Sequence, residues 1–256
     1  MRLPYVEPHA VAHGRQPAYD AAMFPHLLVV ENQSELARVG ASRIGDEIRR
    51  TVGATGVCSV ALAGGNTPQP VYRVLAEDRQ IPWSNVEIFF GDERAVPPDH
   101  PDSNYRMARL ALLDRVPIAA QRIHRMQADR PDLDAAARDY ESLLPDALDL
   151  LILGMGADGH TASLFPGHPA VAERVRRVLP VRDAPLAPRL TITPPVIQQA
   201  KLLIVLIEGR DKAATVKRAL EGPDDLLALP IQLARHGTWI LDRASAALLS
   251  RQSSSS

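Results

Sequence analysis

The stretch "GVCSVALAGGNTPQPVYRVLAE", Gly56 to Glu77, decides the fold. Its first half is a run of Val, Ala and Leu without polar alternation, the signature of a strand covered on both faces. Gly64 and Gly65 end the run, Thr67 stands at a helix N-cap position, Pro68 takes the first helical place, and Val71, Val74 and Leu75 recur at helical spacing. Working outward, further apolar runs occur at 26–32 (HLLVVEN), 86–93 (VEIFFGDE), 148–156 (LDLLILGMG), 201–209 (KLLIVLIEG) and 237–242 (GTWILD). Helical spacing fills intervals between them: Leu36, Val39, Ile44 and Ile48 mark one face of 34–52, and 104–116 reads the same way. Buried strands alternating with helices predict an α/β fold, a mostly parallel sheet with helices on both faces. The Pro-rich stretch 180–195 breaks the alternation and reads as an extended surface connector enclosing a short strand, RLTIT.

A chain of 256 residues with 46% hydrophobic and 23% charged residues suits one compact core and excludes disordered and collagen-like classes. Net charge is −1, from 29 basic and 30 acidic side chains, with no block of one sign, so no nucleic-acid footprint is expected. No window reaches the roughly 18 consecutive apolar residues of a membrane helix, and no membrane association is expected. Residues 1–25, interrupted by Pro, His, Arg and Asp, lack the apolar core of a secretory signal and read as a flexible arm. Residues 26–250 then form a single α/β domain, and 251–256 (RQSSSS) a tail. The lone Cys58 lies inside a buried run and fits a reducing, cytoplasmic location.

Ligands of open α/β sheets gather beyond the carboxyl ends of the strands, and three of those ends are unusual here. After the first, Gly64, Gly65, Asn66 and Thr67 make either a tight turn or a phosphate cradle, in which bare N–H groups at a helix start face an anion. The Gly-Lys-Ser/Thr of a nucleoside triphosphate loop is missing. Lys212 and Arg189 are cations that either assist such a cradle or face solvent. At the second end, "GDER" admits two readings: an ion-pair cluster on a solvated rim, or Asp92 orienting a catalytic partner while Arg94 faces a substrate oxygen.

The third, "GMGADGHTASLFPG" from Gly154 to Gly167, spells G-x-G-x-x-G, but Pro166 and Gly167 interrupt it and no second strand ending in an acid follows, so a dinucleotide is not expected. Asp158 and His160 in its turn are instead candidates for a general base whose tautomer a neighbour fixes. The other histidines, His9, His13, His26, His100, His124, His168 and His236, fall in tails, loops and helix flanks and are read as exposed. No tight His, Cys and acid spacing supports a metal.

Together, "ALAGGNTPQPVY", "FFGDERAVPPDHPDSNY", "LLILGMGADGHTASLFPG", "EGRDKAA" and "WILDRASAALL" resemble the 6-phosphogluconolactonase family, in consistent order over about residues 25 to 250. The resemblance implies a Rossmann-like fold shared with sugar-phosphate deaminases and isomerases. It also implies hydrolysis of 6-phospho-D-glucono-1,5-lactone without a cofactor, in the oxidative pentose phosphate pathway, by a monomer or small homo-oligomer. His160 matches the family's water-activating base, Arg94 a cation of the same site, and Asp92 and Asp158 acids beside them. Gly64 to Thr67 match its phosphate loop, and Arg189 and Lys212 the basic residues near the phosphate. One departure stands out: where many relatives carry Lys in "SPKPP", this chain has Ala184 or Leu186, so that contact is absent or comes from a neighbour such as Arg182. Two rival readings are an amino-sugar-phosphate deaminase or isomerase, whose "DGHIAFNEPG" has a glutamate where Phe165 stands, and a silent sugar-phosphate sensor, which would keep the phosphate loop and lose His160.

Overall fold

The structure, a computed structural model, describes residues 27–250. The expected arm and tail lie outside the described residues. Six strands form one parallel sheet: β1 (Leu27–Val30), β2 (Cys58–Leu62), β3 (Val86–Phe90), β5 (Leu150–Leu153), β8 (Leu203–Ile207) and β9 (Thr238–Asp242), in the order β1-β9-β8-β5-β2-β3. Every residue of β2, β5 and β8 is buried, which accounts for their unbroken apolar runs. Helices α1 (Gln33–Thr55), α2 (Pro68–Leu75), α3 (Asn104–Ala111), α4 (Leu133–Leu143), α5 (Pro194–Gln199) and α6 (Ala213–Glu221) complete the α/β fold. On α1, Leu36, Ile44 and Ile48 are buried as their spacing predicts.

The chain steps from β2 outward to β3 on one side and from β5 through β8 to β9 on the other, so the strand order reverses between β2 and β5. That switch point opens a crevice at their carboxyl ends. The Gly64 loop follows β2 and the Gly154 loop follows β5, so topology alone brings both to the crevice.

Two expectations need correction. The run 86–93 is not one strand: after β3 it breaks at Gly91, and β4 (Asp92–Arg94) pairs instead with a second, antiparallel sheet of order β4-β7-β6. The Pro-rich stretch holds the expected exposed connector, over 182–188, and the expected short strand, but its two ends are built into regular elements. It contributes β7 (Arg189–Ile192), which is fully buried, pairs with β6 (Val178–Val181), and leads directly into α5 with Pro194 in its first turn. Proline signals a turn only where an N–H is needed; at a helix start none is lost.

Candidate active site

The glycine loop is fixed from below. The Tyr72 hydroxyl, on α2, accepts from the Ala63 N–H and donates to the Ala63 carbonyl, both at 2.9 Å. Burial pushes this phenol's pKa up, so it keeps the proton that the second bond requires. Tyr140 of α4 does the same at the end of β3, accepting from the Phe90 N–H at 2.7 Å and donating to its carbonyl at 3.1 Å. Gly64 then packs on Asn104, where a Cβ would lie 1.9 Å from Oδ1, and Gly65 adopts φ +99°. Thr67 differs from the expected N-cap: its backbone is already helical (φ −64°, ψ −44°) and its side chain makes no capping bond. Pro68 and Pro70 carry no N–H, so the start of α2 offers the Gln69 N–H alone, with no Thr67 side-chain cap upon it.

His160 Nδ1 lies 2.7 Å from Asp158 Oδ1, and the His160 N–H donates to the same oxygen at 3.1 Å. Burial raises the Asp158 pKa, but the His160 N–H and ring outweigh it and hold the carboxyl below its ordinary value. An ionised carboxylate only accepts, so the ring proton resides on Nδ1 and the Nε2 lone pair is available as a base. Gly156 makes room for this pair: a Cβ there would stand 2.1 Å from His160 Nδ1 and 2.5 Å from Asp158 Oδ1. Gly159 turns the chain at φ +94°. The glycines of the G-x-G-x-x-G match thus shape a histidine turn. The turn is tied down by Thr215 Oγ1, which donates to the Ala157 carbonyl at 2.6 Å, and by the Ile231 N–H, which donates to the Gly159 carbonyl at 3.0 Å.

The "GDER" residues are no solvated rim. Asp92 and Glu93 are buried, and Glu93 accepts from the N–H groups of Arg94, Asn104 and Tyr105 and from the Ser103 hydroxyl, closing the start of α3. Burial raises the Glu93 pKa, and those donors partly offset it. Asp92 does not reach His160; it accepts from Asn104 Nδ2 at 2.9 Å and Ser163 Oγ at 2.5 Å, and lies 3.6 Å from Arg189 Nη1. Arg189 in turn lies over Phe165, 5.5 Å from the ring centre, and Phe165 stacks at a tilt on His160 at 4.8 Å. Asp92 thus ties the start of α3, the segment after His160 and β7 to one another. Replacing it with Ala leaves the buried Arg189 guanidinium without its carboxylate, and urea unfolding should show a loss of about 3–5 kcal/mol.

One cleft of about 360 Å³ is lined by Gly64, Gly65, Asn66, Thr67, Asp92, Arg94, His160, Arg189 and Lys212. Asp158 stands behind His160 rather than in the lining. Arg94 pairs with neither neighbouring acid; its Nη1 donates to the Asp102 carbonyl. Lys212 Nζ lies 3.1 Å from Asp211. Arg182 reaches away to Asp134 on α4, and Leu186 is 99% exposed, so neither replaces the lysine expected in that segment. Asn104, Ser163 and Glu208 stand at or beside the cleft and were not singled out from the sequence, although each lies in a quoted motif, "DSNY", "HTASLFPG" and "EGRDKAA". Two histidines read as exposed are not: His124 stacks on Phe89 and contacts Glu87, and His168 contacts Asp183. Among the described residues, no three His, Cys, Asp or Glu side chains gather as a metal site, and no helix is long and apolar enough to cross a membrane.

Sheet, switch point and a His–Asp pair facing a phosphate-type loop define a sugar-phosphate enzyme of the α/β class. The chain belongs to the family of glucosamine-6-phosphate isomerases and 6-phosphogluconolactonases, whose model matches residues 31–241. A 6-phosphogluconolactonase of Synechocystis sp. is 37% identical over 234 residues, covering 86% of this chain and 97% of that one. That of Mycobacterium tuberculosis is 39% identical over 233 residues, covering 84% and 94%. The solved 6-phosphogluconolactonase of Trypanosoma brucei superposes with a TM-score of 0.76 at 30% identity, over 88% of this chain and 98% of that one.

Proposed function

We propose that this chain hydrolyses 6-phospho-D-glucono-1,5-lactone to 6-phospho-D-gluconate. The observation that carries the reading is the His160–Asp158 pair, whose ring lines the same cleft as the Gly64–Thr67 loop and Lys212. The 6-phosphate sits on the loop N–H groups and Lys212, which places the ester end toward His160. Nε2 takes a proton from water as the water oxygen bonds to the lactone carbonyl carbon. Asp158 stabilises the resulting imidazolium, and Arg94 faces the oxygen on which negative charge develops. The tetrahedral adduct collapses by breaking the bond to the ring oxygen, which receives the proton back from Nε2. The new carboxyl group then ionises to solvent. No cofactor is called for in this sequence of steps.

Phe165, beside His160, favours this reading over ring-opening amino-sugar chemistry, because an aromatic hydrocarbon cannot carry a proton where the rival family has a glutamate. The reading also makes 26–250 one catalytic domain and puts the reaction in the cytoplasm, where the buried Cys58 thiol, its pKa pushed up to about 12, stays reduced and inert. The deciding experiment supplies freshly prepared lactone and follows acid release above the spontaneous rate, with glucosamine 6-phosphate as control. Turnover of the control alone would reverse the assignment. Lys212→Ala should raise KM about tenfold or more with a smaller change in kcat, in steady-state assays.

A further inference from the structure

Glu208 is an anomaly in a cleft built to receive an anion. It follows β8 and lines the cleft with the glycine loop and Lys212. Its Oε1 accepts from Gln33 Nε2, at the start of α1, at 3.0 Å. Its Oε2 is buried and, among the described residues, makes no hydrogen bond of normal geometry, with the Thr67 side chain close enough only to favour the ionised form weakly. Lys212 is not its counterion, for that ammonium is paired with Asp211. The charged and polar groups around the carboxyl come from each neighbouring element: Gln33 from α1, Thr67 from the glycine loop, Asp242 from the end of β9, and Asp211 and Lys212 from the turn after β8.

We infer that Glu208 is a specificity-determining residue that reads the phosphate end of the substrate as a protonated carboxyl, its Oε2–H donating to a phosphate oxygen, so that phosphate binding takes up a proton. The inference rests on the phosphate placement proposed above. Its physical ground is simple. A carboxylate beside a phosphate repels it, whereas a carboxylic acid at the same place supplies the donor that the unpartnered oxygen lacks. Burial, which leads the causes, and the nearby Asp242 carboxylate already raise the Glu208 pKa, while Gln33 and Thr67 only partly oppose them. A bound phosphate adds negative charge and raises it further. The sign follows: the contribution of Glu208 to phosphate binding is full at low pH and is lost as pH rises through its pKa in the complex.

The test compares the full-length protein with Glu208→Gln, whose amide keeps an acceptor for Gln33 and a permanent donor for phosphate. Inorganic phosphate and 6-phosphogluconate are titrated calorimetrically from pH 5 to pH 8, in two buffers of different ionisation enthalpy, with gluconate as the phosphate-free control and thermal melts to confirm folding. The ratio of wild-type to variant Kd should be near one at pH 5 and grow to about tenfold or more at pH 8, at most about tenfold per pH unit for a single proton. Near neutral pH the wild type should take up more protons than the variant on binding phosphate. A ratio that stays flat across the range, or equal proton uptake by the two proteins, overturns the inference and leaves Glu208 a tie between β8 and α1. Inorganic phosphate carries this comparison even if the lactone is not turned over, so failure of the proposed activity and failure of the Glu208 assignment are separate results.

Discussion

His160→Ala should lower kcat for lactone hydrolysis by about 10²- to 10⁴-fold, the contribution of a well-placed general base, while KM changes far less. The ring is partly exposed and its hydrogen bond runs to Asp158, two residues away in the same turn, so its removal should leave the thermal midpoint almost unchanged. Pre-steady-state and steady-state rates, corrected for spontaneous opening of the lactone, check this. Turnover within a few fold of wild type would remove His160 from the chemistry.

The second large effect is expected where no functional group is altered. Gly156→Ala places a methyl 2.1 Å from His160 Nδ1 and 2.5 Å from Asp158 Oδ1. Both atoms belong to side chains that can swing aside, so the collision displaces the His160–Asp158 pair rather than the backbone. A shift of about 1 Å in a catalytic group costs on the order of 10²-fold. Activity should therefore fall at least that far while the melting temperature moves by only a few degrees. Wild-type activity of Gly156→Ala, with the pair undisturbed in its crystal structure, would show that the turn has room after all.

This glycine also shows where sequence reasoning stops. The parallel sheet was legible because β2, β5 and β8 are buried on both faces and their composition says so. The His160–Asp158 pair was legible because the two are two residues apart and their contact is local. Asp92 was found without its partners, since Asn104 and Ser163 lie on segments that only the fold brings together. The break at Gly91 was invisible because the residues on both sides of it are buried, and composition cannot tell which sheet buries them. Glu208 opens the "EGRDKAA" motif, but only Lys212 of that motif was singled out, because the loops around Glu208 are gathered by the fold and not by sequence proximity.

The bond from Thr215 to the Ala157 carbonyl joins the histidine turn to the first turn of α6, the helix that Lys212 immediately precedes. The histidine turn and the start of α6, which both border the cleft, are thus tied together, so a disturbance of one is passed to the other.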